Sequence, residues 1–153
     1  MPLTRRAAEY LAAATPGEIG YLAGLIDGEG CVSLHGRRDP VRGYCTAALQ
    51  VSNTDLELLD WLHRSLGGTI YQRRDGRPTR KVCATWGIFA TGAREILQAV
   101  RPYLRVKAAQ ADVVLRLDWT NPGRAGMTPE RRRERAVALA EIRRLNARGM
   151  PRP

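Results

Sequence analysis

Two acidic residues at the end of an apolar run are the side chains of this sequence best placed to bind a divalent cation. The run Leu22–Ile26 leads directly into Asp27, Gly28 and Glu29, and a second glycine follows. Carboxylate oxygens are preferred ligands of cations such as Mg²⁺, which can drive the hydrolysis of a phosphodiester. The segment therefore predicts one half of a metal-dependent hydrolytic site.

The apolar run belongs to a predicted helix whose first turn carries clear end signals. Pro16 follows Thr15, and Glu18 stands three residues after the threonine, as in a capping box. We expect this helix to extend from about Pro16 to Gly28. Residues 1–15 are assigned to an N-terminal extension that can form a short helix, and residues 16–153 to a single domain that includes a C-terminal helix.

One face of this helix carries almost no side-chain bulk. Gly20, Gly24 and Gly28 recur at every fourth position, so they lie on one side of a helix and allow another backbone to approach closely. The segment occurs once among the 153 residues, and the simplest partner is the same helix in a second copy. A twofold dimer uses the same patch on both sides of its interface. We assign that interface to Gly20, Ala23, Gly24 and Asp27.

The two acids of the segment are predicted to differ in role. Their separation of two positions points them in different directions on a helix. Glu29 is expected to meet its symmetry mate beside the dimer axis, where two carboxylates can hold divalent ions. For Asp27, a structural role near the end of the helix is the favoured interpretation.

After Gly30 the hydrophobic period changes from that of a helix to the alternation of a strand. Two strands, a helix capped by Thr54 and ended by Gly67, and two further strands follow, which indicates an α+β fold. The later elements are expected to be strands at Thr69–Arg74 and Val82–Ala90, and helices at Gly92–Val100, at Lys107–Trp119 and from Thr128 to Gly149.

The chain is strongly basic. It contains 25 Lys plus Arg against 15 Asp plus Glu, so each copy carries a formal charge of +10. Nucleic acid is the natural partner of such a chain, whereas a structural or purely protein-binding role leaves the charge unexplained. No apolar run approaches the roughly 18 residues of a membrane span, and no export signal is seen. We therefore expect an intracellular protein, in the cytoplasm or an organelle, without a membrane partner.

Several segments together resemble the single-motif LAGLIDADG homing endonucleases. Leu22–Gly30 nearly spells the family motif, Asn53–Asp55 opens the next helix, Leu66–Gly68 closes it, and Pro102–Lys107 falls where the family has a comparable segment. The resemblance covers about residues 16–120. It implies the αββαββα fold, in which helices pack on one face of a four-stranded, saddle-shaped antiparallel sheet, and it implies a homodimer.

The resemblance also implies roles for individual residues. Glu29 stands at the acidic eighth position of the motif, where most members have Asp, and is expected to hold Mg²⁺ together with the carbonyl of Gly28. Mn²⁺ is expected to substitute for Mg²⁺, and Ca²⁺ to support binding without cleavage. Asn53 matches a polar position that orients water, although it can equally be a cap or turn residue. Lys107 matches an active-site lysine, the alternative being a surface lysine at a helix start.

The open face of the predicted sheet is expected to follow the DNA major groove and to offer every second side chain to base edges. In the fourth strand the parity is ambiguous, because Ala84, Trp86 and Ile88 can equally face the core. Basic residues of the second hairpin are expected to position the DNA backbone. The residues assigned to DNA contact are Ser33, His35, Arg37, Tyr44, Thr46, Ala48, Gln50, Tyr71, Arg73, Arg77, Arg80 and Lys81.

The leading hypothesis is a homodimeric, Mg²⁺-dependent endonuclease that makes a double-strand break in a long, nearly palindromic DNA site. The family resemblance implies a role in intron mobility. An RNA maturase and a noncatalytic DNA-binding regulator remain as alternatives on the same scaffold. The intact acidic segment and Lys107 favour the enzyme.

Overall fold

A four-stranded antiparallel sheet with helices packed against one face forms the centre of the molecule. The computed structural model describes residues 3–36, 44–73, 82–120 and 127–147. The elements in chain order are α1 (Leu3–Ala13), α2 (Pro16–Glu29), β1 (Gly30–Gly36), β2 (Cys45–Asn53), α3 (Leu56–Leu66), β3 (Thr69–Arg73), β4 (Cys83–Phe89), α4 (Ala90–Val100), a 3₁₀ turn (Arg101–Tyr103), α5 (Ala108–Leu115) and α6 (Pro129–Asn146).

The strands lie in the order β1-β2-β4-β3, and every neighbouring pair is antiparallel. The segment from α2 to α4 therefore has the predicted αββαββα order, and the predicted α+β fold is confirmed. None of the helices in the described ranges is both long and apolar enough to cross a membrane.

The capping box predicted for α2 is present. The side chain of Thr15 accepts a hydrogen bond from the backbone N–H of Glu18, and the Glu18 carboxylate accepts one from the backbone N–H of Thr15 at 2.7 Å. Hydrogen bonds that the backbone N–H and the hydroxyl of Thr15 donate to this carboxylate hold the pKa of the Glu18 carboxyl below its usual value. The start of α2 is thus fixed by local side chains.

The N-terminal helix α1 packs against α3 and α4. Its residue Ala7 has no exposed surface and belongs to the same core as the sheet. The segment assigned to an extension therefore contributes to the core of the domain that follows it.

The end of α3 is shaped by two glycines in the left-handed region. Gly67 and Gly68 both have a φ of 79°, which side-chain-bearing residues rarely adopt. The buried Trp86 of β4 donates a hydrogen bond from Nε1 to the carbonyl of Gly67 at 2.8 Å. A β-carbon at Gly68 would lie 2.5 Å from the carbonyl oxygen of Gly87. These contacts fix how α3 turns into β3.

Several predicted boundaries are corrected. Asp55, not Thr54, caps α3, because Oδ1 of Asp55 accepts hydrogen bonds from the backbone N–H groups of Glu57 and Leu58. Helix α4 begins at Ala90, α5 ends at Leu115 and α6 ends at Asn146, whereas the predicted limits were Gly92, Trp119 and Gly149.

The C-terminal helix α6 covers the edge strand β1. Nδ2 of Asn146 donates to the carbonyl of Val32 at 2.8 Å, and Nε2 of Gln110 donates to Oδ1 of Asn146 at 3.2 Å. An edge strand presents unpaired backbone groups that can recruit other chains. The α6 contact satisfies one of these groups and joins α5, α6 and the sheet.

Candidate functional site

The predicted metal ligand lies where α2 passes directly into β1. Glu29 is the last residue of α2, and Gly30 is both the C-cap of that helix and the first residue of β1. A β-carbon at Gly30 would lie 2.4 Å from the carbonyl oxygen of Ile26, so the tight junction requires glycine. The side chain of Glu29 is exposed. The junction therefore presents a carboxylate to solvent at one end of the sheet.

The outer face of α2 has little side-chain bulk, because three of its four residues are glycines. It is formed by Gly20, Tyr21, Gly24 and Gly28. Gly24 and Gly28 are exposed, and a β-carbon built at either would meet no atom within 4 Å. Tyr21 is 57% exposed and packs edge-on against the ring of Trp61, with 5.7 Å between the ring centroids. A second backbone could approach this surface closely. The assignment of Gly20 and Gly24 to a dimer interface stays a prediction.

Ala23 corrects part of that assignment. Its side chain has no exposed surface and lies in the core together with Leu22 and Ile26. The rotation of about 100° from Ala23 to Gly24 here leads from a buried position to an exposed one. A small residue next in sequence to the outer face was mistaken for part of it.

Asp27 fastens α2 to the segment that precedes α5. Its Oδ2 accepts a hydrogen bond from the backbone N–H of Arg105 at 2.8 Å. Its Oδ1 accepts two more, from the N–H of Val106 at 3.1 Å and from the N–H of Lys107 at 2.9 Å. These contacts agree with the structural role favoured from the sequence. The assignment of Asp27 to a dimer interface stays a prediction.

Lys107 is brought to the same region through this contact. It is the N-cap of α5 and is half-exposed, and its backbone is bound to a residue two positions from Glu29. The helix-start position is confirmed, and the backbone of Lys107 lies beside the acidic segment. Its catalytic role stays a prediction.

Asn53 lies near the same end of the sheet as Glu29. Val51 stands opposite Gly30 in the register of β1 and β2, so Asn53 extends two residues beyond this pair, where α2 ends. Its Oδ1 accepts a hydrogen bond from the backbone N–H of Asp55 at 2.9 Å. Asn53 is thus a turn residue, and its water-orienting role stays a prediction for the amide nitrogen.

The sheet face that points away from the core, here called the open face, carries most of the predicted contact residues. Alternation along the strands places residues i and i+2 on the same face. His35, Tyr44 and Tyr71 are exposed, and Thr46 and Gln50 are half-buried. Ser33 corrects the prediction, because its Oγ atom is buried beside Ala48 and is not presented at the surface. The open face therefore offers hydroxyl, amide, imidazole and phenol groups at regular spacing.

The structure resolves the ambiguous parity of β4. Ala84, Trp86 and Ile88 are buried in the core, so Thr85 and Phe89 lie on the open face. The Oγ atom of Ser52 and the Oγ1 atom of Thr85 lie 2.7 Å apart across the two strands. Ser52, Thr85 and Phe89 are open-face residues that sequence reasoning missed. Strand pairing was the signal that could have found them.

Ala48 corrects the prediction for this face. It lies on the open face but has no exposed surface. Its cross-strand partners are Ser33 and Phe89, and the ring centroids of Phe89 and His35 lie 5.4 Å apart. The aromatic pair closes the space above the small alanine side chain. An approaching ligand meets the rings of His35 and Phe89 instead of Ala48.

Part of the predicted contact set cannot be placed. Arg37, Arg77, Arg80 and Lys81 lie outside the described residues. Arg73 is the last residue of β3, and its side chain is likewise outside the described part of the structure. All five assignments stay predictions.

Several charged residues of the helical layer form ion pairs with one another. The guanidinium of Arg101 donates to both carboxylate oxygens of Asp112, at 2.5 and 2.7 Å, and holds the pKa of Asp112 below its usual value. A hydrogen bond from Arg116 lowers the pKa of Glu141 in the same way. These acids connect α5 to the 3₁₀ turn and to α6.

Known proteins resemble the chain in sequence and in structure, although no family model matches it. The DNA endonuclease I-CvuI of Chlorella vulgaris is 31% identical over 107 residues, which span 65% of this chain and 63% of I-CvuI. A crystal structure of I-CvuI with a DNA target matches at 26% identity and a TM-score of 0.68, and the match covers 88% of this chain and 85% of that chain. The chain is thus a homologue of the DNA endonuclease I-CvuI.

A second solved structure extends the likeness in fold. The archaeal intron-encoded homing endonuclease I-Vdi141I, in complex with DNA, matches with a TM-score of 0.64 at 19% identity. That match covers 90% of this chain and 89% of the archaeal chain. The LAGLIDADG resemblance and fold predicted from the sequence are confirmed. By this resemblance, Leu22–Gly30 corresponds to the family motif, and Glu29 stands at its acidic eighth position.

Proposed function

We propose that this chain is a homodimeric, divalent-metal-dependent DNA endonuclease that makes a double-strand break in a long, nearly palindromic site. The observation that carries the proposal is the outer face of α2, an exposed glycine surface on the helix whose last residue is the exposed Glu29. The sequence relative I-CvuI is named a DNA endonuclease, and its crystal structures contain DNA targets.

The glycines of the outer face support the proposed dimer. Glycine inside a helix costs roughly 0.5–1 kcal/mol relative to alanine. At Gly24 and Gly28 a β-carbon would meet no atom within 4 Å, so nothing nearby in the described chain requires glycine there. Close approach of a second α2 helix explains why these two positions are glycine. Twofold pairing then brings two copies of Glu29 together, one for each DNA strand.

The oxygen atoms at the end of α2 fit a hard divalent cation. The carboxylate of Glu29 and the carbonyl of Gly28 are ligands of the kind that Mg²⁺ binds. Within the described ranges, no group of three or more His, Cys, Asp and Glu residues could hold a metal by itself. The partner's Glu29 and DNA phosphate oxygens complete the proposed ligand set. When bound, the cation neutralises phosphate charge and activates water.

The choice of cation is part of the proposal. Mg²⁺ is the working ion, Mn²⁺ can replace it, and Ca²⁺ supports DNA binding without cleavage. Crystal structures of I-CvuI with DNA were obtained with Mg²⁺ and with Ca²⁺, and the DNA was not cleaved in the Mg²⁺ structure. Cleavage by this chain therefore has to be measured directly.

Two further side chains act on the phosphate and its attacking water. The amine of Lys107 is a compact cation that stabilises negative charge on the phosphate. The amide nitrogen of Asn53 donates a hydrogen bond that orients the water, because its Oδ1 already accepts from the backbone of Asp55. Glu29 holds the metal, so the three residues have separate tasks.

DNA recognition is assigned to the open face of the sheet. His35, Thr46 and Gln50 present hydrogen-bonding groups suited to base edges in the major groove. Phe89 adds an apolar surface that can contact a thymine methyl group. Two copies carry a formal charge of +20, since each carries +10, which favours association with the DNA backbone.

The biological setting completes the proposal. The chain is an intracellular, intron-encoded homing endonuclease whose target is the uninterrupted DNA of its insertion site. An RNA maturase and a noncatalytic DNA-binding regulator are the alternatives that an experiment has to exclude. Exposure of the Glu29 carboxylate favours the nuclease over both, because neither alternative needs it.

A two-step assay with plasmid DNA tests this function. Plasmids with randomised, nearly palindromic inserts are first selected for binding to the purified protein in Ca²⁺, and the recovered plasmids are then incubated with Mg²⁺ or Mn²⁺. We expect intact plasmids in Ca²⁺ and linear products in Mg²⁺. Tight binding without linear product in either Mg²⁺ or Mn²⁺ contradicts the nuclease and favours the regulator. Binding to intron RNA without selection of any DNA favours the maturase.

A further inference from the structure

Asp27 is half-buried, and both of its carboxylate oxygens are used within the chain. Three consecutive backbone N–H groups, those of Arg105, Val106 and Lys107, donate to it at 2.8, 3.1 and 2.9 Å. The three residues join the 3₁₀ turn to α5 and belong to neither element. The carboxylate of Asp27 therefore holds the backbone of these three residues in place.

This contact connects two groups that are far apart in sequence. Lys107 is 80 positions from Asp27, and Glu29 lies two residues after Asp27 at the end of the same helix. Because α2 is a rigid element, its last turn fixes the positions of Asp27 and Glu29 relative to each other. The hydrogen bond to Asp27 thus fixes the position of the Lys107 backbone relative to the helix that carries Glu29.

We propose that Asp27 is the positioning residue for Lys107, and that it acts by holding the 105–107 backbone against the end of α2. The effect of Asp27 on catalysis rests on the proposed nuclease function. The hydrogen bonds between Asp27 and the 105–107 backbone do not depend on that function. A misplacement of about 1 Å in a group that acts on the reacting phosphate can cost roughly 100-fold in rate. Asp27 therefore affects the cleavage rate without touching the DNA.

The substitution Asp27→Asn separates this role from simple space filling. Asparagine has nearly the same shape, but it has one acceptor oxygen and an NH₂ group that cannot accept. In either orientation of the amide, at least one of the three N–H groups faces another donor. The variant should therefore loosen the 105–107 segment while it leaves the packing of α2 intact.

Residue-resolved amide hydrogen exchange measures the contact without reference to activity. In the wild-type protein the amides of Arg105, Val106 and Lys107 should be protected. In Asp27→Asn, exchange at one or more of them should rise by roughly tenfold or more. Unchanged exchange at all three positions would overturn the proposed contact. If Asp27→Asn does not fold, wild-type amides that exchange as fast as an unstructured peptide would overturn it as well.

A double-mutant cycle measures the link to Lys107. Asp27→Asn alone should lower the single-turnover cleavage rate by roughly 100-fold, with DNA affinity nearly unchanged. In a Lys107→Met background the same substitution should cost less than about threefold further, because the positioned amine is already absent. Equal costs in both backgrounds would show a general structural role and would overturn the positioning role.

Asp118→Asn is the matched control. The carboxylate of Asp118 also accepts a hydrogen bond from a backbone N–H, that of Thr120 at 2.9 Å, and Asp118 lies beyond the C-terminal end of α5, whereas Lys107 lies at its N-terminal end. Its loss should change cleavage by less than roughly threefold. A wild-type protein that does not cleave contradicts the proposed function alone, since the exchange measurement still decides whether Asp27 holds the 105–107 backbone.

Discussion

The two faces of α2 are built from similar small and apolar residues but have opposite surroundings. On the inner face, Leu22, Ala23 and Ile26 have no exposed surface and pack in the core. On the outer face, Gly24 and Gly28 are exposed and unconstrained by nearby atoms of the chain. The inner face explains why the chain folds. The outer face, which lowers helix stability, is explained by the proposed assembly and cleavage.

The largest expected effect comes from the carboxylate at which the outer face ends. Glu29→Gln should reduce cleavage by more than about 100-fold, because it removes a charged metal ligand, while DNA affinity stays within roughly tenfold. Cleavage and filter-binding assays on one target measure both quantities. The exposed Glu9→Gln of α1 is the control. Cleavage by Glu29→Gln at the wild-type rate would show that another group holds the metal.

A substitution on the inner face should affect folding instead. Ile26→Ala removes three carbon atoms from a fully buried site and should lower the free energy of unfolding by about 2–5 kcal/mol. Denaturant titration measures this loss. Tyr21→Ala, on the outer face of the same helix, is the comparison and should cost much less in the monomer. Equal losses at both positions would remove the distinction between the faces.

Bulk on the outer face should affect assembly without affecting the fold. Gly24→Leu should convert the proposed dimer into folded monomers, because the new side chain prevents close helix approach. Sedimentation and circular dichroism report the two properties separately. In those monomers Gly28→Ala should raise stability by roughly 0.5–1 kcal/mol, since alanine favours a helix over glycine. A Gly24→Leu dimer of unchanged affinity would exclude the outer face as the interface.

The smallest effect is expected for an ion pair that joins the 3₁₀ turn to α5. Arg101 lowers the pKa of Asp112, so this pair stabilises the fold above the usual carboxyl pKa and loses its contribution as the pH falls through the lowered value. Both side chains are partly exposed, so Asp112→Asn should cost less than about 1 kcal/mol near neutral pH. The stabilities of variant and wild type should converge below about pH 4. A difference that persists there would indicate a packing effect.

The arrangement of elements could be predicted from the sequence because local signals mark it. The box of Thr15 and Glu18, the glycines after Leu66 and the alternation after Gly30 each act within a few residues. The predicted start of a helix was wrong where two neighbouring residues can both act as the N-cap, as Thr54 and Asp55 can. There the preferred cap depends on the path by which β2 enters the helix, and a local pattern does not contain that path.

The candidate site was predictable only in part, for a related reason. Glu29 and Lys107 could be named from the motif and the resemblance, but the contact that joins their segments spans 80 positions. Ala48 was misassigned because its exposure depends on Phe89, a residue on a neighbouring strand. Strand register and tertiary packing determine such properties. Alternation along one strand gives the face of a residue but not its exposure.

Disulfide trapping tests most directly whether two outer faces meet. Gly24→Cys and Gly28→Cys are made separately in a protein whose exposed Cys31 and Cys83 are changed to serine, and each is oxidised mildly. A disulfide requires α-carbons within about 7 Å, so paired α2 helices should give a covalent dimer from at least one variant. Glu134→Cys, at an exposed position of α6, is the control and should stay monomeric on a denaturing gel. No covalent dimer from either variant, in protein that still binds DNA, would contradict the shared site.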